Sequence, residues 1–124
     1  MSRWAGRFEA VDLQITFDTI GGVAVLSITG ELDLSTLPQF RNAVVRLVGD
    51  HPTQTVAIDV DGVFVLDDTG VGVLLGAAGR ARENGGDLAV VCTDERLLRR
   101  FAVLRLDRAV DVVTSVHDLA SRHT

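Results

Sequence analysis

The residues best suited to chemistry in this sequence form one short run, Asp67-Asp68-Thr69-Gly70. Two carboxylates and a hydroxyl stand at a predicted junction between a strand and a helix, where free backbone amides and the helix dipole favour negative groups. A strong helix N-cap is the simplest interpretation, because Asp and Thr are common caps. The glycines at 70, 72 and 76 each cost about 1 kcal/mol relative to Ala inside a helix. Close approach of a partner backbone, or tight packing on a sheet, would explain them.

A catalytic or metal-binding role for this run has little support. Adjacent carboxylates at a helix start point in different directions, and only Asp59 and Asp61 are near enough in sequence to complete a magnesium site. A phosphate-accepting aspartate of the receiver type would need a lysine, and the chain has none. Its serines and histidines stand in neither a nucleophile-elbow nor a metal-ligand motif. We therefore predict a protein that is not an enzyme, with no catalytic residue, no metal and no cofactor.

The composition predicts one ordinary globular domain. Of the 124 residues, 47% are hydrophobic and 23% are charged, proportions that suit a single folded core. A formal net charge of −5 argues against nucleic acid as the main partner, because that binding depends on Lys and Arg neutralising phosphates. Every apolar stretch falls well short of the roughly 20 residues that cross a bilayer, so we predict no membrane span.

The first residues and the cysteine content bear on the compartment. Charged residues interrupt positions 1–12, where an export signal needs an unbroken apolar region. The single cysteine, Cys92, cannot form an internal disulfide, and its place at the end of an apolar run predicts a buried structural thiol. We expect a cytoplasmic protein, with residues 1–12 as an N-terminal lead-in and residues 13–124 as the domain.

Hydrophobic periodicity predicts strands that alternate with helices. Apolar patterns indicate strands at 13–17, 23–28, 55–60, 87–92 and 110–113, with Gly21-Gly22 as the turn between the first two. Helical spacing is found over residues 37–48, from about 68 to 84, at 97–104 and at 116–122, with caps expected at Ser35 or Thr36 and at Thr93 or Asp94. This order implies parallel βαβ crossovers. Residues 61–66 are expected only to connect the third strand to the second helix.

Arginines concentrate around the third predicted helix, at positions 96, 99, 100, 105 and 108. A solvated helix face is the simplest interpretation. An acidic protein partner or an anionic ligand is the alternative, because a local cluster of one charge attracts its opposite.

Two motifs resemble those of a known family. The run Gly30-Glu31-Leu32-Asp33-Leu34-Ser35-Thr36 ends the second strand, and Asp67-Asp68-Thr69-Gly70-Val71-Gly72-Val73-Leu74 opens the second helix. Together they are similar to the motifs of STAS-domain anti-sigma factor antagonists, and the resemblance covers residues 13–120. It implies an α/β, STAS-like fold: a mixed four- to five-stranded sheet with about four helices packed mostly on one face.

The resemblance implies a regulatory function. Members of this family bind an anti-sigma factor of the serine-protein kinase type and so free a sigma factor for transcription, until the kinase phosphorylates a serine in a D-S-S/T-G motif. In this chain Asp67 matches the aspartate of that motif, Thr69 its second hydroxyl and Gly70 its glycine. Asp68 occupies the phosphoacceptor position. Because Asp carries one negative charge where phosphoserine carries about −1.5 to −2, Asp68 imitates the phosphorylated residue only in part.

Three hypotheses follow from the acid at position 68. The domain is held in the released state, or it binds a partner adapted to the acid, or the switch has moved to Thr69. We favour a partner adapted to the acid. STAS-like domains also serve as ligand sensors or as scaffolds in larger signalling assemblies, and that is the alternative function.

The resemblance also locates the partner-binding surface. We expect an anti-sigma factor kinase to contact residues of both motifs: Asp33, Leu34, Ser35, Thr36, Asp67, Asp68, Thr69, Gly70, Val71 and Leu74. Loops that lead from neighbouring parallel strands into helices meet at one edge of the sheet, and residues 68–70 are expected to be exposed there. A homodimer is compatible with this prediction, whereas nucleic acid and membrane are not expected partners.

Overall fold

The strand and helix patterns produce a mixed α/β sheet in the computed structural model, which describes residues 13–122. This part of the chain forms five strands and five helices: β1 (Leu13–Ile20), β2 (Val23–Leu32), α1 (Leu37–Asp50), β3 (Thr55–Leu66), α2 (Asp68–Glu83), β4 (Asp87–Val91), α3 (Glu95–Val103), α4 (Leu106–Ala109), β5 (Asp111–Val113) and α5 (Val116–Arg122). The lead-in expected over residues 1–12 lies outside the described residues.

The sheet has the strand order β1-β2-β3-β4-β5. β1 and β2 form an antiparallel hairpin, and the other neighbouring pairs are parallel. The hairpin turn consists of Gly21 and Gly22, whose φ angles are 57° and 83°. Two successive left-handed residues match the twist of a two-residue hairpin, and glycine adopts them without a Cβ clash. The predicted hairpin and the predicted parallel crossovers are both confirmed.

The helices lie mostly on one face of the sheet, as predicted. α1, α2, α3 and α4 cover the larger hydrophobic core, in which Phe40, Leu74 and Phe101 are fully or almost fully buried. Within residues 13–122, α5 is the helix that covers the opposite face, where Val116 and Leu119 pack on a smaller apolar cluster. Cys92 is buried in the larger core, as predicted, and burial raises the pKa of its thiol to about 11.

The third strand is longer than the sequence indicates. Residues 61–66 continue β3, and β2 likewise extends past Gly30 to Leu32. The prediction that 61–66 are only a connection is wrong because two register shifts, between Ser27 and Thr29 and between Gly30 and Glu31, let the pairing resume beyond the interruption. Such bulges break the local period that identifies a strand. The extension brings Leu32 opposite Leu66, at the point where strands β2 and β3 both end.

Candidate functional site

The two motifs lie side by side at the carboxyl ends of β2 and β3. Leu32 is paired with Leu66 in the parallel ladder, and the next amide, Asp67 N–H, donates to the Leu32 carbonyl at 2.8 Å. Parallel strands that end together deliver their following loops to the same edge. The loop before α1 and the start of α2 therefore form one continuous surface.

The loop before α1 is fixed by its own side chains. The Asp33 carboxylate accepts from the Ser35 hydroxyl at 2.7 Å, from Ser35 N–H at 2.9 Å and from Thr36 N–H at 3.2 Å. The Ser35 hydroxyl, with help from these amides, holds the pKa of the Asp33 carboxyl below its usual range. Asp33 thus closes a compact turn that holds the adjacent Leu34 outward, with 68% of its surface exposed.

Thr36 supports this turn from inside the protein. Its hydroxyl donates to the Glu31 carbonyl at 2.8 Å and accepts Asp33 N–H at 3.1 Å, and the residue is only 3% exposed. Thr36 is the N-cap residue of α1 but makes no side-chain cap bond, because its oxygen is used by the loop. Thr36, which was predicted to contact the partner, therefore supports the binding loop from inside and does not expose its side chain.

The start of α2 separates the two adjacent carboxylates. Asp67 is the N-cap: its side chain accepts Thr69 N–H at 3.1 Å, and its carbonyl accepts Gly70 N–H at 2.9 Å. The cap interpretation therefore applies to Asp67. Asp68, in the first turn, and Thr69 are both exposed, so their side chains are the ones available to a partner.

The Asp68 carboxylate forms an ion pair with Arg100 of α3. Arg100 Nε lies 3.1 Å from Asp68 Oδ1, and Nη2 of the same guanidinium contacts the same oxygen. The pair is partly exposed, at 60% for the Asp68 side chain and 45% for that of Arg100. Both charges are evident in the sequence, but their contact was not predicted, because no local pattern relates positions 32 residues apart.

Two other arginines of the predicted basic patch differ in their contacts: Arg96 forms a local ion pair and Arg99 is exposed. Arg96 pairs with Asp94 at 3.1 Å, and its side chain is the main cause that lowers the pKa of the Asp94 carboxyl. Arg99 is exposed next to Arg100, and both line a shallow groove with Asp68 and Val103. The outer face of α3 is solvated, in line with the simplest interpretation, and it continues the surface around Asp68.

Three predicted contact residues of the second motif lie in the interior. Gly70 is buried, Val71 is 2% exposed and the Leu74 side chain is fully buried in the larger core. α2 must turn one face toward the sheet, and these positions fall on that face. The expected exposure of Gly70 is therefore wrong, and the side chains of Val71 and Leu74, also predicted to contact the partner, lie in the core. The exposed set is Asp33, Leu34, Ser35, Asp67, Asp68 and Thr69, of which Asp33 and Asp67 are only partly exposed.

The glycines of α2 differ in the space around them. A Cβ on Gly70 would lie 2.6 Å from Leu32 Cδ2, so tight packing on the sheet requires glycine at this position. Gly72 and Gly76 would place a Cβ in open space. Both border an open groove between α1 and α2, together with Leu37 and Arg41.

We expect Gly70→Ala to lower the free energy of unfolding by about 1–3 kcal/mol, because overpacking a filled site forces Leu32 or the helix to move. Gly72→Ala is the matched control. It should raise the free energy of unfolding by about 0.4–1 kcal/mol, since it lowers the backbone entropy of the unfolded chain and adds no clash in the folded one. Urea unfolding followed by circular dichroism measures both. Equal effects at the two positions would contradict the packing described for Gly70.

The described residues hold no group of three or more His, Cys, Asp or Glu side chains placed to bind a metal. Asp61, one of the two considered for magnesium, has a structural role instead. Its carboxylate accepts the backbone N–H groups of Thr93 and Asp94 at 2.6 and 3.2 Å and the Thr93 hydroxyl at 2.8 Å. These bonds attach the N-terminus of α3 to the end of the sheet.

Among residues 13–122, no helix is long and apolar enough to cross a membrane.

Comparison with known proteins identifies the fold family. The STAS domain model matches residues 14–119. This chain belongs to the STAS domain family. Its relatives include the anti-sigma-F factor antagonist RsfB of Mycobacterium tuberculosis, which is 30% identical over 106 residues and matches 86% of this chain and 85% of the relative. The anti-sigma-B factor antagonist of Bacillus subtilis is 30% identical over 87 residues, or 70% of this chain and 78% of the relative.

Solved structures of STAS proteins share the fold. An anti-sigma factor antagonist from Mycobacterium paratuberculosis superposes with a TM-score of 0.79 at 23% identity, over 90% of this chain and 93% of that one. The antagonist SpoIIAA in its unphosphorylated form gives a TM-score of 0.71 at 16% identity, over 89% of this chain and 96% of that one. The relatives named here are antagonists of anti-sigma factors, which are regulatory binding proteins rather than enzymes, as predicted for this STAS domain.

Proposed function

We propose that this STAS domain is an anti-sigma factor antagonist that binds an anti-sigma factor of the serine-protein kinase type and so raises the availability of a sigma factor for transcription. The observation that carries the proposal is the single exposed edge on which the two motifs meet. Leu34 is exposed at the same edge of the sheet as Asp68 and Thr69, so an apolar side chain and polar groups are available there to one partner. The names of the relatives supply the class of partner.

We propose that residue 68 is not regulated by phosphorylation. Asp68 offers no hydroxyl to a kinase, and among residues 67–70 the Thr69 side chain is the only hydroxyl. Thr69 is exposed at the first turn of α2, where the helix dipole offsets added negative charge. If the domain is switched by a kinase, we propose Thr69 as the acceptor. Incubation with the partner kinase and ATP, followed by mass spectrometry of Thr69→Ala and the unaltered domain, tests this assignment.

We expect Leu34→Arg to weaken binding of the anti-sigma factor at least about 10-fold, because burying an unpaired charge under a partner is costly. Leu34 makes little contact with the rest of the domain, so the variant should unfold like the unaltered protein. Thr19→Arg is the control, since it adds the same charge at the opposite end of the sheet, next to the Gly21-Gly22 turn. Isothermal titration with the purified anti-sigma factor measures all three. Equal affinities would place the interface elsewhere.

A further inference from the structure

The negative charge at position 68 is already paired within this chain. Arg100 reaches Asp68 Oδ1 through both Nε and Nη2, and the contact joins the first turn of α2 to the outer face of α3. We propose that Arg100 cancels the charge of Asp68 at the partner-binding surface and so keeps the domain in its binding-competent state. This inference rests on the proposed function and concerns the regulation of the same surface.

The net charge at position 68 differs between a phosphoserine and the Asp68–Arg100 pair. A phosphoserine would carry about −1.5 to −2 and three acceptor oxygens, so one arginine would leave net negative charge. Asp68 carries one negative charge, and Arg100 reduces the pair to zero. The neighbouring acid, Asp67, is engaged as the helix cap through Thr69 N–H. The Asp68–Arg100 pair therefore lacks the excess charge of a phosphorylated residue, which argues against a domain held in the released state.

The ion pair matters more for binding than for folding. Exposed ion pairs contribute little to the stability of a folded domain, because water screens them. Covered by a partner, the same charges lose water, and a charge without its counter-ion then becomes costly. Arg100 is accordingly a positioning and charge-cancelling residue for Asp68, and its removal should leave the fold intact.

Arg100 pairs with Asp68, whereas the neighbouring arginines Arg96 and Arg99 do not. Arg96 is engaged with Asp94 at the start of the same helix. Arg99 is exposed and forms no ion pair within residues 13–122. A change at Arg99 therefore removes the same charge from the same helix without uncovering Asp68, which makes it the matched control.

The test is a set of titrations against the purified anti-sigma factor that binds the unaltered domain. We expect Arg100→Gln to weaken binding about 10-fold, because it uncovers the carboxylate at the interface. Asp68→Asn in the Arg100→Gln background should recover affinity to within about 3-fold of the unaltered domain, since both charges are then gone. Arg99→Gln should bind as the unaltered domain does.

Two results would overturn the inference. Unchanged affinity for Arg100→Gln would show that the charge of Asp68 has no effect on the partner. A double variant as weak as Arg100→Gln alone would show that Arg100 contacts the partner directly and does not act through Asp68. In either case a loss of binding in Leu34→Arg would leave the proposed function standing. Failure of the unaltered domain to bind any anti-sigma factor of the serine-kinase type from the same organism would instead refute the proposed function itself.

Discussion

Replacing Asp68 by Ser is expected to weaken binding of the natural anti-sigma factor by about 1–3 kcal/mol, or roughly 5- to 150-fold. The physical reason is the pairing with Arg100. Serine removes the carboxylate, so Arg100 enters the interface without its counter-ion and is left as an unpaired charge where the partner covers it. The variant also restores a hydroxyl at the position that a family-typical kinase phosphorylates. We therefore expect weaker binding together with new phosphate incorporation at residue 68.

Asp68→Asn is the control for this experiment, because it keeps the shape of the side chain and removes its charge. Titrations of the three proteins against the natural partner, with mass spectrometry after incubation with ATP, measure affinity and phosphorylation together. Tighter binding by Asp68→Ser would show that the acid imitates the phosphorylated state. Equal affinity in all three proteins would show that Asp68 has no role in recognition, and the switch interpretation would then be dropped.

Replacing Gly86 by Ala is expected to cause the largest loss of stability among the changes considered, about 3 kcal/mol or more, at the upper end of overpacking effects. A Cβ at this position would overlap the Gln54 carbonyl oxygen and lie 3.0 Å from Gln54 N. Both atoms belong to the backbone just before β3, where Asp87 N–H donates to the same Gln54 carbonyl at 3.1 Å. Relief of the clash would therefore separate the beginnings of β3 and β4.

Gly49→Ala provides the comparison, because Gly49 lies within α1 and a Cβ there meets no atom within 4 Å. This variant should be slightly more stable than the unaltered domain, through loss of backbone freedom in the unfolded chain. Urea unfolding followed by circular dichroism gives both values. A Gly86→Ala domain with unchanged stability would contradict the close approach of residues 54 and 86.

Much of the fold followed from local patterns in the sequence. The Gly21-Gly22 turn, the cap of α3 at Asp94 and the end of α2 before Gly85 all depend on backbone preferences within a few residues. The strand–helix alternation predicted a largely parallel sheet, and the resemblance of the two motifs to STAS domains added that the helices pack mostly on one face. The turn, the cap and the helix end were predictable because each is determined by neighbours in the chain.

The features that were missed depend on strand pairing, backbone conformation and hydrogen bonds that the apolar pattern of the sequence does not show. The continuation of β3 through residues 61–66 needs the register shifts opposite β2, and the short helix α4 follows a left-handed residue, Arg105, with φ of 61°. The burial of Thr36 follows from its bond to the Glu31 carbonyl. A motif names the residues at a site, but the packing of α2 on the sheet decides which of them reach its surface.

The most direct test of the central claim is a displacement assay with the purified domain and a preformed complex of a fluorescently labelled sigma factor and its anti-sigma factor. Each anti-sigma factor of the serine-kinase type from the same organism is tested in turn. We predict that the domain releases the sigma factor from one of these complexes in a concentration-dependent manner, and that Leu34→Arg releases it only at roughly 10-fold or higher concentration. Retention of the sigma factor in every complex, at saturating concentrations of the folded domain, would contradict the account.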